Sequence, residues 1–98
     1  MSLNRKLTPI LLGRIIQSAQ FQDTLLEIHF TDDSILRIKT AAPADVQHLP
    51  GQVLKRIRQR GTQMLLDFTD DTTFDVTLAE AMSSVMLRDQ QGVMEYAD

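Results

Sequence analysis

In LLEIHF, residues 25–30, the apolar Leu26, Ile28 and Phe30 alternate with Glu27 and His29. Alternation of this kind sends one set of side chains to each face of a strand and one of those faces into the core. TTFDVTL, residues 72–78, repeats it, with Phe74, Val76 and Leu78 inward and Thr73, Asp75 and Thr77 outward. SSVMLRDQQGVMEY, residues 83–96, reads as a further hairpin turning over Asp89–Gly92. At the start of the chain Leu3, Leu7, Ile10 and Leu11 have helical spacing, and Pro9 shortens any helix there. Pro43–Leu49 and LAEAM, residues 78–82, each read as a helical turn.

The pattern is written twice. GRIIQSAQFQDTLLEIHFTDDSILRIKT, from Gly13, lies without gaps over GQVLKRIRQRGTQMLLDFTDDTTFDVTL, from Gly51, at a spacing of 38 residues. Leu26 falls on Met64, Ile28 on Leu66, Phe30 on Phe68, Leu36 on Phe74 and Ile38 on Val76. Each unit, about 13–40 and 51–78, reads as strand, turn, strand, turn, strand. The expected fold is mainly β: a two-layer antiparallel β-sandwich of about eight strands. Two similar three-stranded units plus a C-terminal hairpin supply the strands, and short helices join them in a single domain over 1–98. The doubled FTDD ends a core strand and begins its turn, because short aspartate side chains bond nearby backbone and tolerate unusual dihedrals. A calcium loop would need oxygens spaced around a glycine, which FTDD lacks, so no metal site is expected.

Composition narrows the function. A length of 98 residues, 43% apolar and 23% charged, is that of one ordinary globular domain. The net charge of −3 argues against a protein whose whole surface is built for a phosphate backbone, though not against a local basic patch. Without cysteine there is no disulfide, thiol catalysis or Cys-ligated zinc. The apolar runs are too short for a membrane span, and the expected location is cytoplasmic.

From Pro43 onward, PADVQHLPGQVLKRIRQRGTQMLLDFTDDTTFDVTLAEAMSS resembles part of the N-terminal domain of the formamidopyrimidine-DNA glycosylase and endonuclease VIII family. The matching pieces are Gly51, QVLKRI, RQRGT, MLLDF, DDTTF, VTL and MSS, and LTPILLGRII is similar to the family's first helix and strand. The resemblance implies a β-sandwich of about eight strands with short helices, and a surface turned toward DNA. It makes Met82 the counterpart of a methionine that fills the duplex. It does not imply glycosylase chemistry, since no Pro-Glu pair stands near the N-terminus, Thr62 replaces the turn lysine and Thr77 the motif histidine. The family's helix-two-turn-helix module and zinc finger are not found in these residues.

KRIRQR, residues 55–60, is the one basic concentration, and strand periodicity places Arg56, Arg58 and Arg60 on one face with Ile57 inward. Such a row can hold phosphates by charge-assisted hydrogen bonds, although no aromatic residues are interleaved with it for base stacking. His29 and Glu27 share a strand face, His48 stands in the unit connection, and Ser83 and Ser84 have no activating neighbour, so no catalytic constellation is assembled. Met86, Met94 and Tyr96 make the C-terminal hairpin apolar enough to serve as a dimer interface. The expectation is a non-catalytic, cofactor-free binding module, resembling an isolated glycosylase N-terminal domain and contacting nucleic acid weakly through Arg56, Arg58, Arg60 and Met82. The alternative is a homodimeric assembly protein that binds another protein through an exposed sheet edge.

Overall fold

The computed structural model describes residues 4–98. One short helix, α1 (Leu7–Leu11), precedes eight strands: β1 (Ile16–Gln22), β2 (Leu25–Phe30), β3 (Ile35–Lys39), β4 (Leu54–Arg60), β5 (Gln63–Phe68), β6 (Thr73–Thr77), β7 (Val85–Arg88) and β8 (Met94–Ala97). They form a five-stranded sheet, β1-β2-β3-β7-β8, and a three-stranded sheet, β4-β5-β6, with every pairing antiparallel. The expected β-sandwich, its strand number and its C-terminal hairpin are all present.

Alternation builds the core. Leu26, Ile28, Phe30, Leu36 and Ile38 from the first unit meet Met64, Leu66, Phe68, Val76 and Leu78 from the second, all buried. Phe74 is only half-buried, whereas its repeat equivalent Leu36 is fully buried. Each buried side chain of this size contributes roughly 1.5–3 kcal/mol of transfer free energy, so the two inward faces dominate the stability of the fold.

The repeat is reproduced bond for bond. The N–H of Gly13 donates to Leu54 (2.8 Å) and that of Gly51, 38 residues on, donates to Ile16 (2.7 Å). Ala41 N–H donates to Thr77 (2.8 Å), and Ala79 N–H donates to Lys39 (2.9 Å), the same exchange at the other end of the units. A bulge interrupts β1 between Ile16 and Ser18 and, equivalently, β4 between Leu54 and Arg56. Both units thus share one backbone path, and they are related by a local two-fold axis.

FTDD is punctuation. Phe30 N–H donates to Ser34 (2.9 Å) and Asp33 N–H donates back to Phe30 (3.0 Å), closing a three-residue loop whose last member has φ 70°. Phe68, Thr72 and Asp71 repeat this, with φ 69° at Asp71. Asp32 accepts the N–H of Ser34 (2.9 Å) and Asp70 that of Thr72 (3.0 Å), so the first aspartate of each pair caps the turn and the second supplies the left-handed residue.

The helices need correction. Leu7 and Leu11 are buried on one face of α1, but Leu3 lies outside the described residues. Pro43–Leu49 contains only a turn, with Leu49 N–H donating to Val46 (3.1 Å), and residues 79–83 are a bend in which Ser83 has φ 63°. Leu78 in LAEAM is already bridged to Thr40, and this cross-unit pairing overrides the helix propensity of Ala-Glu-Ala-Met. The 46–49 turn is the repeat equivalent of the end of α1: Leu11 and Leu49 are both buried, and Arg14 N–H on Leu11 (3.0 Å) matches Gln52 N–H on Leu49 (3.1 Å).

Candidate nucleic-acid interface

The β4 sequence LKRIRQR does not alternate strictly. Its bulge lets Leu54 and Ile57, three apart, both point inward, after which Arg58 faces out, Gln59 in and Arg60 out. Thr8 of α1 fixes the irregularity, because its hydroxyl donates to the Ile57 carbonyl (3.0 Å) and accepts the Ile57 N–H (3.0 Å). Arg56, Arg58 and Arg60 therefore stand exposed on the outer face of the three-stranded sheet, as periodicity predicted.

A buried carboxylate, which the sequence reading missed, organises two of them. Asp67 on β5 has a side chain only 8% exposed, while Arg56 and Arg58 are 54% and 47% exposed. Arg56 Nε donates to Asp67 Oδ2 (2.9 Å), Arg58 Nε to the same oxygen (2.7 Å) and Arg58 Nη2 to Oδ1 (2.8 Å), which also accepts the Thr73 hydroxyl (2.8 Å). The Arg58 fork holds the Asp67 carboxyl well below the usual carboxylate range, against the opposing effect of burial, with Thr73 and Arg56 adding to it. Reciprocally, the Asp67 contact raises the Arg58 guanidinium above its usual value. Register makes the contact: the Gly61-Thr62 turn pairs Arg60 with Gln63, and the unbroken ladder behind it brings Arg56 opposite Asp67 just before the bulge.

These anchors leave nitrogens unused. Among the described residues Arg56 is bound only through Nε, and Arg58 through Nε and Nη2. Arg60 has no ion pair among the described residues. A shallow depression of about 170 Å³ lies between Lys55, Arg56, Arg58, Asp71 and Thr73, with Lys55 3.7 Å from Asp71.

Met82 is 63% exposed. The buried amide of Gln59 donates to the carbonyls of Gly61 (2.9 Å) and Ala81 (2.7 Å), so it ties the 79–84 bend, and Met82 with it, to the Arg60 end of the row. The other half of the molecule carries no counterpart: the equivalents of Arg56, Arg58 and Arg60 are Ser18, Gln20 and Gln22.

Other polar side chains pair with one another away from the arginine row. On the outer face of the larger sheet Glu27 meets His29 Nε2 (3.0 Å) and Arg37 Nε (3.0 Å), and these contacts, His29 first, hold its carboxyl below the usual range. Arg14 grips Glu95 of β8 through both Nη atoms (3.0 and 2.9 Å) and donates to Ser34 Oγ (2.8 Å), which fastens the C-terminal hairpin to the start of β1. Ser84 Oγ donates to the Glu80 carbonyl (2.7 Å), and His48 is exposed in the connection. Among the described residues no three His, Cys, Asp or Glu side chains converge on a metal-sized site, and no helix is long and apolar enough to cross a membrane.

Met86, Met94 and Tyr96 do not form one surface. Register pairs Met86 with Ala97 on the outer face and Leu87 with Tyr96 on the inner one, where Tyr96 packs against the core and its hydroxyl bonds Asn4. Met94 is 47% exposed on the edge strand. Comparison with protein-family models, curated proteins and solved structures finds no match to the chain.

Proposed function

We propose that the protein is a non-catalytic binding module whose ligand is a phosphate backbone, held along β4 by Arg56, Arg58 and Arg60 with Met82 at one end. The observation that carries this reading is Asp67. A buried carboxylate that takes the Nε of two neighbouring arginines restrains their planes while both Nη groups of Arg56 and Nη1 of Arg58 keep no partner among the described residues, a preorganised version of the forks that suit phosphate oxygens. One acid among three arginines leaves the row positive within a chain of net charge −3. Arg56 and Arg58 converge on one Asp67 oxygen, and Arg60 stands two residues further along the strand, about 6.6–6.8 Å on, so the row presents a paired cation site beside a single one. The resemblance of residues 43–84 to a glycosylase N-terminal domain accords with this reading and adds no catalytic group.

Binding is expected to be weak and salt-dependent. Fluorescence anisotropy with labelled single-stranded and duplex oligonucleotides, titrated at several salt concentrations, tests it. Affinity should fall as salt rises, and the triple substitution of Arg56, Arg58 and Arg60 by alanine should abolish it. Affinity indifferent to both would refute the reading.

A further inference from the structure

The local two-fold axis makes each edge of one unit comparable with the matching edge of the other, and one of them differs. On β3 the residues whose backbone faces away from β2 pair with β7: Ile35 with Arg88 and Arg37 with Met86, continued by Lys39 N–H donating to Ser84 (2.8 Å). Adding 38 gives Thr73, Asp75 and Thr77 on β6. Phe68 N–H on Thr72 and Leu78 N–H on Thr62 set the alternation on β6, so Phe74 and Val76 bond β5 while Thr73 and Asp75 turn both N–H and C=O away from it. Among the described residues no strand takes those groups. The cause lies in the chain path: the segment after unit two returns as β7 onto β3, but the segment after unit one, residues 41–52, must run on to β4. Half-buried Phe74, where Leu36 is fully buried under the added hairpin, marks the same vacancy.

We propose that the vacant β6 edge is filled by β6 of a second copy, forming an isologous two-fold dimer. The occupant follows from register. An antiparallel self-pairing must centre on a residue, and centring on Asp75 would set two like charges directly opposite each other. Centring on Phe74 instead pairs Thr73 with Asp75 of the partner twice, uses all four outward N–H and C=O pairs of these residues, and stacks the two Phe74 rings as a close non-hydrogen-bonded pair. Centring beyond Asp75 would collide with Ala41, whose N–H already occupies the Thr77 carbonyl. The product is a continuous six-stranded sheet, β4-β5-β6-β6-β5-β4, and a two-fold axis normal to the sheet puts both arginine rows on one face. The dimer does not depend on the arginine reading, since its test contains no nucleic acid.

Sedimentation of the full chain over rising concentration should show monomer converting to dimer. Asp75→Pro removes an outward N–H at an edge position that tolerates proline and should leave only monomer, with the circular-dichroism spectrum unchanged. Met94→Lys, on the other edge, should leave the dimer intact. In the wild type, exchange of the Thr73 and Asp75 amides should slow as protein concentration rises. A monomer at every concentration with fast, concentration-independent exchange at both amides overturns the proposal, and so does a dimer lost in Met94→Lys but kept in Asp75→Pro.

Discussion

Ile15 and Val53, equivalent positions of the two units, pair with each other in an isolated antiparallel bridge. Thr40 and Leu78, the next equivalent pair, do the same at the opposite corner. A residue that pairs with its own repeat mate must lie beside the axis relating the units. The local axis therefore passes through both corners, and the two sheets are stitched together by the same bonds made twice.

Gly13 and Gly51 sit beside one of these corners with φ of 85° and 89°. A Cβ at either would touch nothing within 4 Å, so the cost of a side chain is dihedral rather than steric. Gly13→Ala and Gly51→Ala should each destabilise by roughly 1–2 kcal/mol, and the two values should agree closely because the environments are symmetric. Urea unfolding of both variants measures this, and a large disparity would show the units to be energetically unlike.

Gln59 is the one core-facing position of β4 filled by an amide, and it is 3% exposed. Its side chain bonds Gly61, Ala81 and Asn4, joining the β4–β5 turn, the 79–84 bend and the N-terminal segment. Gln59→Leu keeps the volume and takes the amide donor from the Gly61 and Ala81 carbonyls, while the Asn4 amide keeps Asp98, at an expected cost of roughly 1–3 kcal/mol. Amide exchange in residues 79–84 should accelerate with it, since the bend loses its tie.

Alternation along the chain carries most of this architecture. Leu26, Ile28 and Phe30 announce a core face by spacing alone, and the Gly13–Gly51 offset exposes the duplication, because strand and turn patterns are local. The exposed row of Arg56, Arg58 and Arg60 was legible for the same reason. Asp67 and Gln59 were not, because each departs from the hydrophobic code: burying either requires partners from another strand or loop, and only register reveals those partners. Residues 78–82 misled because helix propensity is local while the Thr40–Leu78 bridge is not.

Asp67 should also shape the response to acid. Its carboxyl is held low in the folded protein, so its stabilising contribution is complete above the unfolded carboxylate pKa of about 3.9 and is lost as pH falls below that toward the folded value. Asp67→Asn should lower stability at neutral pH by roughly 1–3 kcal/mol, toward the smaller figure because solvent screens the half-exposed arginines. Its unfolding free energy should then vary less with pH below about 4 than that of the wild type. Thermal melts from pH 7 to pH 2 compare the two, and parallel curves would deny Asp67 this role.

Arg58 and Arg60 separate binding from folding. Both would donate to a phosphate, but only Arg58 also closes a bidentate contact with Asp67. Arg60→Ala should leave the melting temperature within roughly 2–3 °C of wild type while reducing the slope of log K against log salt by about 1. Arg58→Ala should produce a similar loss of slope together with a lower melting temperature, because Asp67 stays buried with Arg56 and Thr73 as its remaining partners. If Arg60→Ala left oligonucleotide affinity and its salt dependence untouched, the row would be a solvated strand face. The Asp67 contacts would then serve the fold alone.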